Sequence, residues 1–148
     1  MNGFILVDKE TGISSNSIVQ CVKRKLKVKK VGHLGTLDPL ANGLLILAIN
    51  RATKFSSYFL ESDKSYDVEI KLGIATDTDD STGTIIHESK NYPESESVKK
   101  ELFSFMGESM QVPPFFSALK HKGKALYKYA REGNFISKPP RKIFISKI

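Results

Sequence analysis

The chain has 148 residues, room for one ordinary domain, and its 40% apolar and 26% charged side chains are close to the globular average. Disorder, collagen and coiled coil are excluded for the whole chain; the longest apolar run, Leu44–Ile49, is far short of a bilayer span, and a single cysteine, Cys21, excludes an internal disulfide. The net charge of +7 is uneven, with +6 in residues 1–60, −7 in 61–110 and +8 in 111–148.

In chain order, Gly3–Val7 is an apolar run that predicts a buried strand. Lys9–Gly12 reads as a turn. Ser14 or Ser15 caps a helix running to about Leu26, with Ile18, Val22 and Leu26 spaced by four. Six basic residues, Lys23, Arg24, Lys25, Lys27, Lys29 and Lys30, crowd its end, where cations suit the helix dipole. Residues 28–43 form a long glycine-containing connection to a buried strand, Leu44–Ile49. A short helix is expected around Thr53–Leu60. Tyr66, Val68, Ile70 and Leu72 alternate with Asp67, Glu69 and Lys71, the pattern of a half-buried strand. A polar loop, Thr76–Gly83, leads to a strand over Thr84–His87. Ser95 caps a helix carrying Val98, Leu102, Phe105 and Met106, which Gly107 ends. Pro113-Pro114 breaks regular structure. Residues 124–132 read as helix and Ile143–Ile148 as a strand.

Phosphates pair with lysine and arginine, so the two basic outer parts suggest a polyanionic partner. Each block alone could equally be a solvated helix face. A membrane is the weaker partner, because the chain has no Trp and no wide apolar helix face beside the cations. The N-terminus lacks the basic start and long apolar stretch of a secretory signal. A reducing, cytoplasmic location is therefore expected.

The segment Gly32–Gly43 stands out. Pro39 steers Asp38 to extended backbone, and Gly35 and Gly43 permit close approach or positive φ. One carboxylate is thus offered by a stiff loop, five residues after His33. That suits nucleophilic or acid–base chemistry, although an isolated Asp-Pro pair is most often only a turn. The loop lacks phosphate-loop spacing. His33, His87 and Cys21 lack metal-ligand spacing, so no metal is expected. Asp77, Asp79 and Glu88 match three positions of a calcium loop, but Thr82 stands where its glycine must be and strands flank it.

The run Gly32–Leu45, read as Gly-His-x-Gly-Thr-Leu-Asp-Pro-x-Ala-x-Gly-Leu-Leu, resembles the signature of the TruB family of tRNA pseudouridine-55 synthases. So do Gly3–Ser15, Ala52–Phe55, Asp63–Tyr66, Leu72–Thr78 and Val112–Lys120, in the same order. Glu10 departs from the family's usual proline at a turn position.

The resemblance implies an α+β fold with a mixed, largely antiparallel sheet and flanking helices. It implies isomerisation of a T-arm uridine of tRNA without cofactor or metal. Asp38 matches the family's catalytic aspartate. Tyr66 matches the tyrosine that stacks on the target base, and His33 the histidine that supports the flipped-out nucleotide. Lys9, Lys54 and Lys120 are expected among the substrate-binding groups, and the region Val112–Gly133 matches an insertion that closes on the RNA arm. The family's catalytic domain continues past this length, to an arginine that pairs with the aspartate and a C-terminal RNA-binding domain. Residues 1–148 are therefore expected to be the N-terminal part of that domain, incomplete at the C-terminus, monomeric, and weakly active or inactive. A non-catalytic RNA-binding module is the alternative, since the basic segments alone would account for it. A purely structural domain would show no salt-dependent RNA affinity.

Overall fold

A computed structural model describes all residues, Met1–Ile148. Two compact units divide the chain, Met1–Asp67 and Val68–Ile148. The architecture is α+β, and every strand pairing is antiparallel. The expected sheet is realised as one three-stranded and three two-stranded sheets.

In the first unit, β1 (Gly3–Lys9) and β2 (Val31–His33) flank β3 (Gly43–Ile49). The register runs from Gly3 opposite Ile49 to Lys9 opposite Gly43, and His33 lies opposite Leu47. β3 is central and from Leu45 onward is packed on both faces, which accounts for most of its apolar run, while Leu44 at its start is exposed. On one face Leu45 and Leu47 pack with Val19 of α1 (Ser15–Lys25) and with half-buried Ile5, Val7, Ile18, Val22, Val31 and Leu37. On the other, Ala48 packs with Leu34 and Ala52, joined by Ile46 and Phe59. The 3₁₀ segment Asn50–Phe55 and the short helix α2 (Ser56–Leu60) supply Ala52 and Phe59. Together they make the single short helix expected around Thr53–Leu60.

The helix prediction for α1 holds at both ends. Ser14 is the cap, accepting from the Ser17 N–H at 3.1 Å, and Leu26 is the C-cap. The seam differs: Val19 is the buried residue and Leu26 is exposed.

The largest departure concerns Tyr66–Leu72. Residues 63–71 form no strand, and Tyr66, Val68 and Ile70 are exposed. The alternation marks residues suited to a strand, but a strand needs a neighbour for its N–H and C=O groups, and none pairs here.

The second unit is built of local pairings. β4 (Ile74–Thr76) pairs with β5 (Ile85–Glu88) across the acidic loop. Helix α3 (Ser95–Ser104) has Glu94 at its N-cap position with no side-chain cap bond, so Ser95 opens the helix without capping it. It ends before Phe105 and Met106, and Gly107 begins β6 (Gly107–Gln111), which pairs with β9 (Arg141–Ile145). β7 (Lys120–His121) and β8 (Lys124–Ala125) form a tight hairpin into α4 (Leu126–Ala130). The expected helix over 124–132 is shorter because its first residues belong to that hairpin. β9 likewise stops at Ile145, before the last three residues.

Candidate active site

Asp38 lies in the loop between β2 and β3, and it is exposed. The residues on either side of it are held. Ser15, buried in the first turn of α1, accepts from the Leu37 N–H at 3.0 Å and donates to the Leu37 carbonyl at 2.8 Å. The Pro39 carbonyl accepts from the Gly12 N–H at 2.7 Å. The Ala41 N–H closes the turn onto the Asp38 carbonyl at 3.1 Å, and Gly43 enters β3 at φ +115, a conformation glycine adopts freely. Gly35 adopts no such angle. Thus β1, α1 and β3 converge on one loop and leave its carboxylate outside.

None of the chain's three side-chain ion pairs involves Asp38. The arrangement suits a group that must meet a substrate: a fixed backbone, a solvated carboxylate and no internal cation to occupy it.

Lys9, expected at the substrate, is instead fully buried, with 0% exposure. Its ammonium donates to the carbonyls of Ile13 at 2.8 Å, Glu10 at 3.0 Å and Pro39 at 3.4 Å. Three donors meet three acceptors, so Lys9 ties the turn after β1 to the Asp38 loop. A sequence shows that a residue is a lysine; it does not show that carbonyls have claimed its ammonium.

His33 ends β2, half-buried, and its Nδ1 is buried without a hydrogen-bond partner. A buried ring nitrogen left unpaired is a cost that a bound polar group could remove. Lys54 is exposed on the 3₁₀ segment. Tyr66 is 67% exposed at the end of the first unit. Lys120, on β7, belongs to the second unit and is exposed. Asp38, His33 and Lys54 therefore share the β1–β3–β2 unit, with Lys9 and Ser15 as its braces. Sequence reasoning missed the brace role of Ser15; its signal was a second serine beside the cap, facing inward.

No cluster of three or more His, Cys, Asp or Glu side chains is placed to hold a metal ion. No helix is long and apolar enough to cross a membrane.

Residues 23–148 match the model of the family described as TruB family pseudouridylate synthase (N terminal domain). The chain is 45% identical over 150 residues to tRNA pseudouridine synthase B of Francisella philomiragia, covering 100% of this chain and 50% of that one. It is 48% identical over 145 residues to the protein of that name from Colwellia psychrerythraea (98% and 46% covered) and 49% over 148 residues to that from Vibrio campbellii (100% and 47%). The chain therefore spans about half the length of the curated relatives it matches. A chain in the crystal structure of a Cbf5–Nop10–Gar1 complex superposes with a TM-score of 0.53 at 26% identity, covering 81% of this chain and 31% of that one.

Proposed function

Since the chain belongs to the TruB family of pseudouridylate synthases, we propose that it supplies the aspartate-bearing half of an enzyme that converts a T-arm uridine of tRNA to pseudouridine. The observation that carries this reading is the loop at 34–42: both neighbours of Asp38 are pinned while its carboxylate is free.

The reaction breaks the N1–C1′ bond, turns the base and joins C5 to C1′. The proton on C5 leaves and N1 gains one, so the product is an isomer and no electron acceptor is needed. Asp38 acts as the nucleophile: it bonds to the sugar or the base while the glycosidic bond is broken, and that bond breaks again once C5 has joined C1′, restoring the carboxylate. The uridine must first leave its stack, at a cost of a few kcal/mol. In this reading Tyr66 stacks on the extruded base and helps move the C5 proton, and His33 offers its unpaired ring nitrogen to the flipped nucleotide. Lys54 and Lys120 contact phosphate, which positions the arm without reading sequence. Lys9 acts through Pro39, as a positioning residue. The family resemblance implies no cofactor and no metal. As half of a longer enzyme, residues 1–148 are expected to turn over slowly or not at all alone.

The test grafts residues 1–148 in place of the matched region of the Vibrio campbellii relative. Tritium release from C5-labelled uridine in a T-arm RNA is then measured. The chimera should release tritium, and the same chimera with Asp38→Ala should release none while binding RNA equally. Equal turnover by both would overturn the role of Asp38. Absence of RNA binding by the parent chimera would overturn the whole reading.

A further inference from the structure

Helix α1 ends in a Schellman motif: the Val28 N–H donates to the Lys23 carbonyl and the Lys27 N–H to the Arg24 carbonyl, both at 3.3 Å. The motif places Lys27 at φ +51, the left-handed conformation that glycine fills most easily. A lysine here forgoes the stability that glycine would give. Its neighbours share one character. Lys23, Arg24, Lys25, Lys27, Lys29 and Lys30 are all exposed, and none is in an ion pair. From Thr11 to Leu37 the chain has no acidic residue.

The fold sets where this patch lies. Lys30 and Asn50 exchange two bonds, the Lys30 N–H donating to Asn50 Oδ1 at 3.0 Å and the Asn50 N–H to the Lys30 carbonyl at 2.9 Å. Asn50 follows the last residue of β3 and begins the segment that carries Arg51 and Lys54. The Asp38 loop is tied instead to Lys9, which pairs with Gly43 at the first residue of β3. Six steps of ~3.4 Å separate the two ends of β3, about 20 Å in all.

Resting on the RNA reading above, we propose that the basic end of α1, with Lys27 at its tip, docks on the phosphate backbone of the RNA stem, about 20 Å from the Asp38 end of β3. A single nucleotide cannot bridge that distance, so the contact falls on RNA flanking the target nucleotide, which the stem supplies. A lipid surface fits less well, because Ile18, Val19 and Val22 are spent on the core and only Leu26 is left as an exposed apolar group of α1.

The test uses the 148-residue chain, a fluorescent T-arm hairpin with its full stem, and the same hairpin cut to the loop and its closing pairs. Anisotropy titrations over a range of salt concentrations are compared for the parent, Lys27→Gly, and the triple variant Lys27→Gly/Lys29→Gln/Lys30→Gln. Each lost phosphate contact lowers the slope of log affinity on log salt by about 0.7–0.9, so the triple variant should lose about 2–3 on the full stem. It should lose nothing on the cut hairpin. Lys27→Gly should melt no lower than the parent, which separates lost binding from lost folding. A parent that binds the full stem while the triple variant keeps the same slope would overturn this inference and leave the functional reading standing. A parent that binds neither hairpin would overturn this inference too, and RNA binding by the grafted chimera then decides the functional reading separately. Capture by phosphatidylserine vesicles that depends on these lysines, with no change towards RNA, would also overturn it.

Discussion

Ser15 and Lys9 grip the two residues on either side of Asp38, so the site can be damaged without touching its carboxylate. Ser15→Ala removes both bonds to Leu37 and leaves a partly buried N–H and C=O unpaired. A loss of about 1–3 kcal/mol is expected, read from urea denaturation. Lys9→Met keeps most of the side-chain volume but strips the Glu10 and Ile13 carbonyls of their side-chain donor and leaves the Pro39 carbonyl only the Gly12 N–H. It should cost ~2–3 kcal/mol or more. In the grafted enzyme both variants should lower turnover while leaving RNA affinity unchanged, because they loosen a loop and remove no exposed charge. Full turnover in the Ser15→Ala chimera would show that the Leu37 clamp is dispensable. At this scale the sequence was informative about side chains that face out and silent about those that face in. The role of Asp38 was implied only by the family resemblance, but its exposure on a constrained loop was legible because Pro39 restricts it locally. The lysine strut was not, because its acceptors are main-chain carbonyls, of which one belongs to a residue thirty positions away.

Elements that carry their own stop and start signals emerged as read, and those that depend on a neighbour did not. Ser14, the apolar spacing and the basic end placed α1 to within a residue. The stretch at 66–72 has an equally clear pattern and no strand, since alternation specifies a face and pairing must come from elsewhere. The β4–β5 hairpin lies between these cases. In sequence its loop is a polar connection between strands, and the structure shows that Asp77 and Asp80 organise it. Asp77 Oδ1 accepts from the Thr84 N–H at 2.7 Å. Asp80 accepts from the Thr82 N–H at 2.8 Å, the Thr82 hydroxyl at 2.6 Å and the Thr78 hydroxyl at 2.8 Å. Partial burial pushes the Asp80 carboxyl up, but these bonds, chiefly from Thr82, outweigh it and hold the carboxyl below its ordinary 3.8. The unfolded chain thus binds this proton more readily than the folded one. Asp80 stabilises the hairpin fully above pH 3.8, and the contribution fades as pH falls through the lowered value. The amide chemical shift of Thr82 should therefore move in acid below the range of an ordinary aspartate. Asp80→Asn should abolish that transition. A Thr82 shift titrating at or above the ordinary value would contradict the hydrogen-bond account.

The two units are held by different means. Both apolar clusters belong to the first, where Val19, Leu45, Leu47, Leu34, Ala48 and Ala52 are buried around β3. The second has Leu126, Ala130 and Pro113 buried, and its strands pair two by two. A two-stranded ladder with solvent on its faces is marginal, because burial and not pairing supplies most of the stability. Amide hydrogen exchange should accordingly divide the chain. Amides paired in β1 and β3, and those within α1, should exchange only by the largest opening the protein undergoes. Those of the β4–β5 and β6–β9 ladders should exchange orders of magnitude faster. The basic end of α1 and the braced loop of Asp38 would then both ride on the slow unit, which is the physical requirement for holding a carboxylate in one place. Uniform protection across both units would mean that burial does not rank their stability. Fast exchange of the Leu37 amide, whose acceptor is Ser15, would sink the claim that the Asp38 loop is fixed in the free protein.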